Sequence, residues 1–81
     1  MKKVIITVLG QDRPGILAAV SENLAEQNCN IENVSQMVLQ LKFVGFFIVS
    51  LPTSLPLETF TNILKKKMTS MDLYIHVDQY S

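Results

Sequence analysis

Lys3–Gly15, KVIITVLGQDRPG, joins a β-branched run to a turn. Val, Ile and Thr dominate its first half and suit a pleated, half-buried surface. Both parities of Lys3 to Leu9 are apolar: Val4, Ile6 and Val8 on one face, Ile5 and Leu9 on the other. That is the pattern of a central strand covered on both faces. The run ends at Gly10, and Gln11 to Gly15 reads as a turn that opens a helix. Asp12 is placed to cap the helix. Pro14 suits its first turn, where the missing N–H would have no partner.

Downstream, Ile16, Val20 and Leu24 recur at i, i+4 and i+8 with Leu17 beside them, while Ser21, Glu22 and Glu26 face away. The spacing predicts an amphipathic helix to about Gln27. Asn28-Cys29-Asn30 stops it, because Asn tolerates the left-handed conformation. Ile31 to Leu41 reads as a second, more polar strand, with Gln36 and Gln40 alternating with Met37, Leu39 and Leu41, and so as an edge. Lys42 to Gly45 has poor turn composition, which leaves that boundary open. Phe46 to Leu51 is again apolar on both parities, as a central strand is. Pro52 ends it, and Ser54 and Pro56 open a second helix whose apolar face is Leu57, Phe60, Leu64 and Met68. Lys65, Lys66 and Lys67 crowd its last turn, where cations suit the helix dipole. Leu73, Ile75 and Val77 then alternate with Tyr74, His76 and Asp78 in a last strand.

The order βαββαβ is the ferredoxin-like α+β arrangement: a four-stranded antiparallel sheet with two helices on one face. Its first and third strands are central, and here these are the apolar ones. The other face of the sheet then needs a cover.

The chain has 81 residues, room for one domain spanning 1–81. So small a fold is marginal alone, and oligomerisation is a common remedy. Charged residues make up 17%, below the usual level of about 25%, so part of the surface is expected to meet a partner. Seven basic and seven acidic side chains balance, which argues against nonspecific attraction to nucleic acid or an anionic membrane. Met1-Lys2-Lys3 resembles the start of a signal peptide, but the apolar run after it is too short. No stretch approaches the roughly 20 apolar residues of a membrane span. Cys29 is the single cysteine, and the expected location is the cytoplasm.

Catalytic chemistry has little to work with. Cys29 and His76 are far apart in sequence, and nothing orients a nucleophile against a base. His76 and Asp78 share a strand face, yet a metal site generally takes three or four ligands. No catalytic residue, metal or cofactor is therefore expected. RNA-recognition motifs share the topology, and Lys42-Phe43-Val44-Gly45-Phe46-Phe47 is superficially like their third strand. The first strand has no aromatic to complete a stacking platform, so core and sheet-face packing is the favoured role of these rings. Gly10 to Leu17 is the most informative segment. Its unpaired helical N–H groups favour an anion, and Gly15 keeps the approach clear. An ordinary helix start with an Asp-Arg surface pair fits the same residues.

The segment G-x-D-R-P-G-I-L, one helix, then Asn28-Cys29-Asn30-Ile31 resembles the ACT domain over essentially the whole chain. Ile31-Glu32-Asn33-Val34-Ser35-Gln36 is similar to a stretch of small stand-alone bacterial and archaeal ACT proteins related to the glycine-cleavage-system regulator. The resemblance implies a homodimeric regulatory module that binds a small amino-acid effector between subunits and acts on a further, regulated protein. A ligand-free dimerisation module is the alternative, and RNA binding on the sheet face a third. The residues implied are Gly10, Asp12, Gly15, Ile16 and Leu17 of the first loop, with Asn30 from the neighbour's second strand. Asp12 stands where effector-binding members often have Asn. A carboxylate there accepts from an ammonium and repels another carboxylate.

Overall fold

The computed structural model describes residues 2–80. The elements are β1 (Lys2–Gln11), α1 (Ile16–Glu26), β2 (Asn30–Leu39), β3 (Lys42–Leu51), α2 (Leu57–Thr69) and β4 (Tyr74–Gln79). The sheet order is β2-β3-β1-β4, and every neighbouring pair is antiparallel. This is the ferredoxin-like βαββαβ fold, with the two doubly apolar runs in the centre.

One face of the sheet carries the core. Val4, Ile6 and Val8 of β1 and Phe47 and Val49 of β3 are completely buried with Val20 and Leu24 of α1 and Phe60, Leu64 and Met68 of α2. The helical apolar positions come from the 3.6-residue period. Asn28 closes α1 with φ 60, the left-handed stop its side chain tolerates. The opposite face of β1 remains half open at Ile5 and Thr7 and exposed at Leu9.

Local chemistry departs from the sequence reading in three places. β1 continues through Gly10 and Gln11, which pair with Phe43 and Lys42 of β3. The ladder thus extends past the glycine that was expected to end it. Second, Asp12 does not cap α1. Gly15 holds the N-cap position at φ 89, no side chain caps the helix, and Pro14 lies in the turn before it. The αL conformation there is one that glycine adopts without strain.

Third, the β2–β3 connection is Gln40-Leu41, with φ 48 and 69. Two positive φ values match the twist of the flanking strands, as in a type I′ hairpin. Neither residue is the usual Gly or Asn, which hid the turn. Gly45 lies within β3, where a Cβ would come 2.8 Å from the Phe43 ring. It makes room for that ring and does not form a turn.

Candidate functional site

The β1–α1 loop and the edge strand β2 form the two walls of a groove of about 370 Å³. Asp12, Arg13, Gly15, Ile16 and Leu17 line one side; Gln36, Met37, Val38 and Phe43 line the other. The groove exists because α1 leaves the far edge of β2 uncovered. Val34 and Val38 belong to the helix-side parity of β2, through pairing with Phe47 and Phe43, yet both are exposed. Leu17 of α1 is exposed beside them.

The loop is held in place by backbone. The Asp12 N–H donates to the Leu41 carbonyl at 2.8 Å, tying the loop to the β2–β3 turn. The Ala19 N–H donates to the Gly15 carbonyl at 2.9 Å, the first bond of α1. The N–H groups of Ile16 and Leu17 precede that bond and have no helical partner. With no side-chain cap at this terminus, they remain available to an anion. Arg13 adds a full positive charge to the same wall, and Asp12 a negative one.

Of the residues expected from the sequence, Asp12, Gly15, Ile16 and Leu17 come together in the groove. Gly10 does not. It lies in β1, where a Cβ would collide with Leu73 Cδ2, and it lines a separate cleft with Leu9, Gln11, Arg13, Lys42, Asp72 and Tyr74. Asn30 begins β2 opposite Ser50 and is not among the groove residues of its own chain. The sequence reading missed Arg13, Gln36, Met37, Val38 and Phe43 as lining residues. The available signal was the alternation of Val34, Gln36 and Val38, which turns three side chains of an edge strand toward the helix layer.

Other polar groups lie elsewhere. A β-bulge between Ile31 and Asn33 turns Glu32 toward Lys3 and Ser50. Lys3 Nζ is 3.0 Å from Glu32 Oε1, and the Ser50 hydroxyl donates to Glu32 Oε2. The Ser50 hydrogen bond first, and then Lys3, hold the Glu32 carboxyl below its ordinary range. His76 Nε2 and Asp78 Oδ2 are 3.1 Å apart on β4. Among the described residues, no three side chains are grouped to hold a metal ion. Cys29, half-buried at the α1–β2 turn, has its thiol pKa raised by burial. Phe43 and Phe47 are core residues, and only Phe46 of the three rings reaches the open sheet face. Among the described residues, no helix is long and apolar enough to cross a membrane.

Known proteins share both the sequence pattern and the fold. A UPF0237 protein of Methanopyrus kandleri is 49% identical over 51 residues, 63% of this chain and 57% of that protein. The match thus spans little more than half of that relative's length. An ACT domain protein from Streptococcus pneumoniae superposes with a TM-score of 0.88 at 32% identity, over 96% of this chain and 89% of that one. A candidate glycine cleavage system transcriptional repressor superposes with a TM-score of 0.89 at 24% identity, over 99% of this chain and 46% of that one, a likeness of fold. The ACT domain family model matches residues 2–78, and the chain belongs to the ACT domain family.

Proposed function

We propose that this chain is a non-catalytic regulatory module of the cytoplasm that binds a small amino acid in the groove between the β1–α1 loop and β2, at an interface between two copies. The observation that carries the reading is the composition of the groove. Arg13 and the free N–H groups of Ile16 and Leu17 suit a carboxylate, Asp12 suits an ammonium, and Leu17, Val38 and Phe43 suit an aliphatic body. The volume of about 370 Å³ lies at the small end of ligand pockets, which span about 300–1,000 Å³. Arg13 answers the difficulty that Asp12 raises, because it offers the ligand's carboxylate a cation. The regulatory character of ACT domains supports the same reading.

The second copy enters through β2. This edge is ten residues long and carries exposed Val34, Val38 and Leu39. Antiparallel pairing of two such edges about the strand centre brings Asn30 of the partner subunit beside Val38 and Leu39, next to the groove. Its side-chain carbonyl then joins Asp12 at the ligand's ammonium. Output passes to a regulated protein through the change that ligand makes in this pairing.

Calorimetry with a panel of amino acids tests binding, and sedimentation with and without saturating ligand tests the interface. Ligand should tighten the dimer by the same coupling free energy with which dimerisation tightens ligand. An unchanged dimer constant alongside proven binding removes Asn30 from the site. Dimerisation without binding of any amino acid leaves an assembly module alone.

A further inference from the structure

We propose that the cleft at Gly10, which shares Arg13 with the groove, is a second ligand site that takes a nucleoside monophosphate. Its volume is about 570 Å³, within the range of about 300–1,000 Å³ of ligand pockets. The cations locate it. Of the seven basic side chains, Lys2 and Lys3 stand at the start of β1, and Lys65, Lys66 and Lys67 in the last turns of α2. The other two, Arg13 and Lys42, both line this cleft. They come from separate segments that the backbone holds side by side. Gln11 pairs with Lys42, and the Asp12 N–H donates to the Leu41 carbonyl at 2.8 Å. Neither cation is in an ion pair among the described residues. Two uncompensated cations on one concave surface attract an anion of matching charge, and a phosphate monoester carries about −1.5 to −2 near pH 7.

The rest of the cleft defines the body attached to that phosphate. Asp72 lines it too, and pairs with neither cation. A Cβ at Gly10 would collide with the Leu73 side chain and stand 3.3 Å from the Asp72 carbonyl. The α2–β4 turn therefore closes on β1, bringing Asp72 to the cleft, where no side chain intervenes. A carboxylate repels the phosphate but accepts from hydroxyls, which directs a sugar toward it. Tyr74 and Leu9 are cross-strand partners, and Tyr74 is 59% exposed. The Tyr74 ring offers a face on which a base stacks. Gln11 stands on β1, between the strands that carry Tyr74 and Lys42, and adds an amide. With strands about 4.8 Å apart and rising about 3.3 Å per residue, Tyr74 and Lys42 stand roughly 12 Å apart, the reach of a mononucleotide and not of a bare phosphate. Two cations at one spot suit a single phosphate; a polynucleotide backbone needs a track of them.

Sharing Arg13 couples the two sites, a step that rests on the amino-acid reading of the groove. A guanidinium set against the amino acid's carboxylate is less available to the phosphate, and the two anions repel each other. Each ligand therefore weakens the other by the same factor.

Calorimetry of the full chain with adenosine monophosphate tests the cleft. The nucleotide should bind, and inorganic phosphate, adenosine and ribose 5-phosphate should each bind roughly tenfold more weakly or worse. Lys42→Ala should weaken the nucleotide by about tenfold or more. It should leave amino-acid binding unchanged, because Lys42 does not line the groove. Tyr74→Ala should weaken the nucleotide and spare inorganic phosphate, and Tyr74→Phe should keep the affinity. Both positions are exposed, so circular dichroism should not change. Saturating amino acid should lower nucleotide affinity in the wild type and not in Arg13→Ala. Absence of nucleotide binding, binding indifferent to Lys42→Ala and Tyr74→Ala, or equal affinity for ribose 5-phosphate overturns the site, whatever the groove binds. Nucleotide binding with no amino-acid binding removes the groove reading and supports the cleft. Equal nucleotide affinity with and without bound amino acid overturns the sharing of Arg13. An oligonucleotide that binds more tightly than the mononucleotide, with affinity falling steeply in salt, overturns the choice of a small ligand.

Discussion

The two edges of the sheet are built on opposite plans. β4 has six residues, buries Ile75, and is preceded by Leu73, also buried in the core. β2 has ten, and only Ile31 among them is even partly covered. An open edge invites pairing, and a short strand locked to a helix layer is one way to suppress it. β4 follows that rule, while β2 displays Val34, Val38 and Leu39 beside a free ladder. The difference teaches where fold and function separate. The β4 side belongs to the packing that makes the domain, and the β2 side is left uncovered.

The contrast is broken most directly by stability measurements. Phe60 of α2 is completely buried in the core. Phe60→Ala should cost about 3–5 kcal/mol, a large share of the total for a domain of this size. Val38→Ala on β2 should change the monomer's stability by less than about 0.5 kcal/mol, as an exposed substitution does. Urea titration at low protein concentration checks both. Comparable losses would mean that the β2 edge is structural.

Ligand affinity should show the reverse preference. Asp12→Ala removes a charge-assisted contact of the kind worth about 1.5–3 kcal/mol, so binding should weaken roughly tenfold to a hundredfold. Lys66→Ala, at the far end of α2, should leave affinity unchanged. Calorimetry with whichever amino acid binds reads both. Equal effects would place the ligand outside the groove.

Gly15 sharpens the boundary between the two roles. Its φ is 89, and a Cβ built there meets nothing within 4 Å. Gly15→Val should therefore destabilise through backbone strain alone, by about 1–2 kcal/mol. Gly15→Asn should be milder, since Asn visits this conformation more readily. Both should weaken ligand binding more than they weaken the fold, because the added side chain stands at the uncapped helix terminus. Thermal melts paired with binding isotherms check the order.

Most of the architecture was legible because burial leaves a period in the sequence. The doubly apolar Val4–Leu9 and Phe46–Leu51 runs identified the central strands, and Ile16, Val20 and Leu24 the face of α1. The hairpin at Gln40-Leu41 was not legible, because its positive φ values are imposed by strand twist on residues with no turn preference. Asp12 misled for a related reason: a capping residue type was present, but the αL glycine took the N-cap position. Half of the groove was legible as a loop motif. Its other wall, Gln36 to Val38, becomes a wall only because α1 stops short of β2, and that is a tertiary fact. Arg13 was visible in the motif but gained a role only with the groove around it.

The smallest expected effect concerns how each edge is anchored. The His76–Asp78 pair stays within β4. Glu32, by contrast, joins three strands, accepting from Ser50 of β3 and pairing with Lys3 of β1. Its carboxyl is held below the ordinary value of 4.5, so folding favours the ionised form. A depressed carboxyl contributes stability that is fully present above its unfolded-state pKa and fades as pH falls through the folded one. The wild type should therefore lose a small increment below about pH 4.5 that Glu32→Gln never had. The two proteins should differ slightly at pH 7 and converge in acid. Because the Glu32 side chain is 32% exposed, water and salt screen the Lys3 contribution, and the Ser50 hydrogen bond should outlast it in high salt. Urea midpoints for both proteins from pH 7 to pH 3, at low and high salt, check this. A gap that stays the same into acid would mean that protonated Glu32 holds the bulge as well as the carboxylate does.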